Sequence, residues 1–162
     1  MKTKIVDTFL YEDLGFPIML VNVPMREALG EWVLDFNLGK FIDEVLKMLI
    51  HKRDPLNGEE LHFIRKYFEM TTTQFGKLFG VTHVAVLKWE ANENQIPPTT
   101  EKCIRMFALE KLDGEDDELI KLYHEIDVEN LAKRRKRKTV NRPLRFNLKT
   151  RRSRKTQSTA CL

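Results

Sequence analysis

Only two cysteines occur among the 162 residues, Cys103 inside a helical pattern and Cys161 next to last. Thiols so placed make neither a disulfide framework nor a metal site. Long apolar runs are missing too: no stretch approaches the roughly 20 residues needed to span a bilayer. The opening "MKTKIVDTFLYEDLGF" has acids where an export signal needs an apolar core. These absences point to an unexported protein in a reducing cytoplasm, without a membrane partner. Histidine is scarce, and His51, His62, His83 and His124 share no metal-ligand spacing and stand beside no nucleophile. The few glycines form no phosphate-cradling loop. Glu59, Glu60 and the acids at 115–118 read as helix N-terminal charges, not as a general acid/base pair. An enzyme is not expected, nor is a metal or any other cofactor.

Acids are missing altogether from one region. Thirteen of the 28 Lys and Arg lie from Lys133 onward, where there is no Asp or Glu, so residues 1–132 hold 15 basic residues against all 24 acids. An acidic body followed by a basic arm suggests a folded part and a solvated extension that seeks polyanions. The bland alternative is an extension that only aids solubility or docks on its own acidic body. Residues 131–162 also carry too little apolar content to offset ordering entropy, so they are expected to be disordered alone.

What is present in the body is enough apolar content, 42% over the chain, for one respectable core or two small ones. "FPIMLVNV" and "EWVLDF", separated by a connector ending in Leu29-Gly30, read as a β-hairpin. "LGKFIDEVLKMLI" then takes up helical period and stops before "RDPLNG", where a domain boundary is expected. Beyond it come five helical segments. Leu61, Ile64 and Phe68 make an apolar face in the first, and Thr71-x-x-Gln74 forms a capping box opening the second, with Phe75, Leu78 and Phe79 as its apolar side. Gly80 ends that helix and Thr82 caps the third. Thr99 or Thr100 is expected to cap the fourth, and acids open the fifth at 115–118. The expected architecture is mainly α: a β-hairpin plus helix over residues 1–53, a five-helix domain over 54–130 and the basic tail over 131–162.

With one residue between Gly80 and Thr82, the second and third helices must cross sharply. Gly76 costs about 1 kcal/mol of helix propensity, tolerable if the next helix packs close there. Val81 and Val86 fill the corner, Trp89 reads as core, and His83, Val84, Leu87, Lys88 and Ala91 are left facing outward. Outward aliphatic groups are odd for water but suit a major groove, where they meet thymine methyls.

These residues carry a resemblance. "TTTQFGKLFGVTHVAVLKWEANEN" is similar to the helix-turn-helix of the XRE (Cro-type) DNA-binding family at Thr71, Gly76, Gly80, Val86, Trp89 and Glu90, within a similarity spanning about residues 59–112. The resemblance implies that Thr72 stands at a phosphate-clamping position and that Thr82, His83, Val84 and Lys88 face the groove. Thr71, Leu87 and Asn92 complete the candidate DNA-binding set. Family members often have Gln or Arg where Thr72 and Val84 stand. "VNVPMREALGEW" resembles a stretch of the MqsA-type antitoxins, relatives in architecture of the HigA-like group, in which a small zinc-binding domain precedes such a helix-turn-helix. Arg26 and Leu29 occupy the cysteine positions, with Gly30 and Glu31 retained, so a zinc-less N-terminal domain is implied.

The function expected on these grounds is a sequence-specific transcriptional repressor, the antitoxin of a type II toxin-antitoxin system that autoregulates its operon. Its expected partners are double-stranded operator DNA, a second copy of itself and a cognate toxin protein, and its place is the cytoplasm, on the nucleoid when bound. A homodimer follows from the mechanism, because one recognition helix covers few base pairs and two set about 34 Å apart give useful specificity. The alternative is a protein-interaction module with a structural helix corner, whose basic tail binds RNA or an acidic partner.

Overall fold

A computed structural model of the chain describes residues 1–112, 114–136 and 143–148. Among them are four strands and seven helices, a mixed α/β protein in two compact units.

The sheet unit takes, among the described residues, 1–13, 17–36 and 143–148. Strand β1 (Thr3–Tyr11) lies antiparallel to β2 (Ile18–Ala28), with Lys4 opposite Met25 and Tyr11 opposite Ile18. β2 turns into β3 (Glu31–Leu34) through Leu29-Gly30, both at positive φ (52° and 84°), as a two-residue hairpin turn matched to strand twist requires. Asn22 also has positive φ, 55°, in mid-strand. On the N-terminal side of Asn22 the buried residues are Ile18 and Leu20, and beyond it Val23 and Met25, so this residue shifts the buried set by one position. Strand β4 (Leu144–Asn147) runs parallel to β2, with Phe146 opposite Leu20, and the Asn22 amide donates to Asn147 Oδ1 at 3.0 Å.

The helical unit takes, among the described residues, Leu14–Phe16, 37–112 and 114–136. Asn37 caps α1 (Leu38–Ile50), whose buried face is Phe41, Val45, Leu46, Leu49 and Ile50. Asn57 and Glu60 form a capping box on α2 (Gly58–Tyr67). There follow α3 (Thr72–Phe79), α4 (His83–Glu90), α5 (Pro98–Lys111), α6 (Asp116–Glu125) and α7 (Val128–Lys136). Leu61, Ile64, Phe75, Val86, Ile104 and Ala108 are fully buried. A run of rings ties three elements together: Phe75 to Phe79 at 4.8 Å between centroids, Phe79 to Phe107 at 5.7 Å and Phe107 to Phe68 at 5.3 Å.

The five segments read as helical between 59 and 126 form α2 to α6, while α1, β1, α7 and β4 change the anticipated architecture. α1 packs against α5, so the break between units falls after Phe36 and not near residue 53. β1 escaped a reading by alternation because nearly all of its residues are exposed. Helix α5 begins at Pro98 after Pro97 and has no side-chain cap, so neither Thr99 nor Thr100 plays that part. Proline at the first helical position needs no partner for an N–H it lacks.

The basic segment is only partly an arm. Residues 131–136 belong to α7 and 144–147 to β4, which corrects the expectation of disorder for those stretches; residues 137–142 and 149–162 lie outside the described residues. A charge cluster holds α7. Glu101, fully buried, accepts from Arg105 Nη2 at 2.6 Å, from Arg135 Nη2 at 2.5 Å and from the Leu56 backbone N–H at 2.7 Å. Arg105 also donates to the backbone carbonyls of Lys52 and, at 2.9 Å, Asp54. Arg134 pairs with the Asp54 carboxylate at 2.8 Å, and Leu131 supplies the buried apolar contact of α7. The start of the basic region thus docks on the acidic body.

Candidate nucleic-acid interface

The corner between α3 and α4 is built by local chemistry. The Thr71 hydroxyl accepts from the Gln74 N–H at 3.1 Å while Gln74 Oε1 accepts from the Thr71 N–H at 2.9 Å, closing the capping box. At the other end Gly80 is left-handed, φ 69°, and the Val81 N–H returns to the Gly76 carbonyl at 2.8 Å. The Thr82 hydroxyl then accepts from the Ala85 N–H at 3.2 Å and starts α4. The turn passes close over Gly76: a Cβ there would lie 2.6 Å from the Val81 carbonyl oxygen and 3.2 Å from the Thr82 carbonyl carbon. A side chain would push the two helices apart.

The inner side of α4 is anchored by Val86, Trp89 and Glu90. Arg65 of α2 donates to the Glu90 carboxylate through Nε at 2.5 Å and Nη2 at 3.0 Å, His62 Nδ1 lies 3.0 Å from the same carboxylate, and Arg65 Nη1 donates to the Met70 carbonyl at 2.8 Å. Burial by itself pushes the Glu90 carboxyl up, but the hydrogen bonds from Arg65 and His62 outweigh it and hold the group below the ordinary carboxylate range. One guanidinium therefore fixes α2, α4 and the approach to α3.

The opposite side of α4 is open. His83 and Lys88 are exposed, Val84 is 46% exposed and Leu87 is 50% exposed; across the corner Thr73, Lys77 and Leu78 are exposed and Thr72 is half-buried. Between Met70 and Asn92 the only acid is Glu90, already paired with Arg65, so this face carries Lys77 and Lys88 with no free carboxylate of its own segment. That is unusual on a body with a surplus of acids. The geometry offers cations for a polyanion, apolar tips one turn apart and a hydroxyl at each helix start.

No family model, no curated protein and no solved structure matches the chain.

Of the eight candidate residues, Thr71, Thr72, Thr82, His83, Val84, Leu87 and Lys88 are gathered around the corner. Asn92 is used otherwise. At φ 57° it turns back so that its Oδ1 accepts from the Gly58 N–H at 2.8 Å and its Nδ2 meets both Glu59 carboxylate oxygens at 3.0 Å, leaving its amide committed to the start of α2. Leu78, read as part of the apolar side of α3, faces outward instead. The signal for this was Gly76: if the turn must pass over Gly76, the buried arc centres on Phe75, Gly76 and Phe79 and leaves Leu78 at its margin. Lys77, beside it, went unread for the same reason.

Among the described residues no group of three or more His, Cys, Asp or Glu could hold a metal ion, and no helix is long and apolar enough to cross a membrane. Arg26 and Leu29 are both exposed, with Arg26 Nε 3.7 Å from Asp35. Cys103 is an exposed free thiol.

Proposed function

We propose that the protein is a sequence-specific DNA-binding transcriptional repressor acting as a homodimer, and that it is the antitoxin of a type II toxin-antitoxin pair repressing its own operon. The observation that carries the reading is the acid-free outer face of α4. On it Lys88 and His83 flank Val84 and Leu87, while Val86, Trp89 and the Arg65–Glu90 pair hold the helix rigidly from behind. In this reading α4 enters the major groove, Thr72 and Lys77 sit over phosphates, and the duplex is read by the side chains of the first two turns. The acidic surplus of residues 1–132 works against DNA affinity, and the basic residues beyond α7 offset it through counterion release.

The antitoxin part rests on the order of the units and on β1. Among the described residues β1 pairs with β2 alone and leaves Ile5, Phe9 and Leu10 exposed, an apolar edge suited to a protein partner. The same observation favours a second reading, an interaction module in which the helix corner is structural and the basic segment meets RNA or an acidic protein. A mobility shift of the full chain with the DNA upstream of its own coding sequence, at two salt concentrations and against scrambled duplex, separates the two. Preference for the upstream duplex supports the repressor, and equal binding or none supports the module.

A further inference from the structure

The centre of the outer face of α4 is apolar. Four side chains project from it, and the two central ones, Val84 and Leu87, can neither donate nor accept a hydrogen bond. Each remains about half exposed, and Leu78 of α3, 47% exposed, extends the apolar surface. An apolar side chain at the floor of a major groove finds one group of its own kind, the C5-methyl of a pyrimidine, carried by thymine and by 5-methylcytosine.

We propose that Val84 and Leu87 read C5-methyl groups and that the preferred duplex presents two of them to α4 within about two base steps. The proposal rests on the DNA-binding reading above and adds what is recognised. Residues three apart on a helix face have Cβ atoms roughly 5–6 Å apart, and bases along one strand follow each other at about 3.4 Å. The two aliphatic tips therefore cover methyls on adjacent or next-adjacent pyrimidines. His83 and Lys88, on either side, supply the polar contacts: an imidazole or ammonium donor reaches guanine N7 or O6, or a thymine O4. Charge complementarity supports duplex DNA as the occupant, since in the segment from Met70 to Asn92 Lys77 and Lys88 are exposed and the single carboxylate, Glu90, is paired with Arg65.

The test selects the best-bound duplexes from a randomised pool with the full chain, then remakes the enriched duplex with deoxyuridine in place of thymidine, one position at a time. That exchange removes a methyl and leaves base pairing intact. Each contacted methyl lost should weaken binding about fourfold, the fold-change that one buried CH₂ is worth. In the double variant V84A/L87A, whose circular dichroism should match the parent because both residues are surface-exposed, the thymidine-to-deoxyuridine penalty should vanish. A duplex with cytosine at the contacted position should gain on conversion to 5-methylcytosine if Val84 and Leu87 take the methyl from either base; a gain with thymidine alone restricts the source to thymine. Enrichment of a sequence that tolerates every deoxyuridine exchange would overturn methyl reading while leaving sequence-specific DNA binding intact. A penalty undiminished in V84A/L87A would move the methyl contact to other residues and overturn the assignment. Failure of the pool to converge would sink the DNA-binding reading itself.

Discussion

Gly76→Ala tests how tightly the corner is closed. The added Cβ would sit 2.6 Å from the Val81 carbonyl oxygen, 3.2 Å from the Thr82 carbonyl carbon and 3.4 Å from the His83 nitrogen. All three are backbone atoms, so no rotamer change relieves the contact and the turn must move. Overpacking of this kind costs about 1–3 kcal/mol. Against it stands the gain of about 1 kcal/mol from replacing glycine by alanine inside a helix. The net expectation is a loss of up to about 2 kcal/mol. Gly39→Ala is the matched control. It lies in the first turn of α1, its new Cβ would make only an ordinary contact with Asn37 Oδ1 at 3.4 Å, and it should stabilise by up to about 1 kcal/mol. Urea unfolding measures both, read as midpoint shifts at unchanged slope. DNA affinity should fall further in Gly76→Ala than its stability does, because displacing the turn re-aims every side chain on the outer face of α4. A Gly76→Ala protein as stable as Gly39→Ala would refute the close passage of the turn and, with it, the geometry assigned to the corner.

Lys88→Ala should cost about 1–3 kcal/mol of operator affinity and relax preference at one base position, as titration against single-base operator variants would reveal; equal loss on random duplex would make Lys88 a phosphate contact. Glu90 has its carboxyl held below the ordinary range, so its contribution to stability is complete above the unfolded carboxylate value of about 4.3 and disappears as pH falls through its lower folded value. Urea midpoints between pH 6 and pH 3 should therefore drop more steeply for the parent than for Glu90→Gln, and parallel curves would contradict the pairing. Glu101→Ala strands Arg105 and Arg135 and should cost about 3–5 kcal/mol, whereas Asp54→Ala, at the exposed Arg134 pair, should cost under about 1 kcal/mol; thermal unfolding of the two variants checks the ranking. Ending the chain after Leu148 keeps α7 and β4 and removes five basic residues. Specific and random DNA should weaken by similar factors, with the log–log salt slope reduced by about 0.9 for each phosphate those residues neutralise.

What could be read in advance was local. Thr71 with Gln74, Gly80 and Thr82 act on backbone groups within four residues, and each does what its residue type favours. The opposed roles of Val86 and Leu87 follow from helical period once those boundaries are set. The features that escaped depend on partners far along the chain. Arg135 is one arginine in a basic run until Glu101, 34 positions earlier, is known to lie buried beside it. The position of Asn92 suits a groove contact; that its side chain instead accepts from the Gly58 N–H at the start of α2 depends on a distant partner that no periodicity announces. β4 has only four residues on a basic background, and its partner strand begins 126 residues earlier. Short strands are specified by their neighbours more than by their own composition.

The parallel pairing of β4 with β2 means that β1, β2 and β3 cannot finish their sheet until residues more than a hundred positions further along have been synthesised. The helical unit is encoded inside the sheet unit, and the Asn22–Asn147 bond closes over a separation of 125 residues. Helical segments with mostly near neighbours form early, and pairings of such long reach form late. A nascent chain would therefore hold a completed α3–α4 corner while the β2 margin that β4 will occupy is still open. An open strand margin is a template for another chain, and until β4 is made it is β2 itself that presents this template.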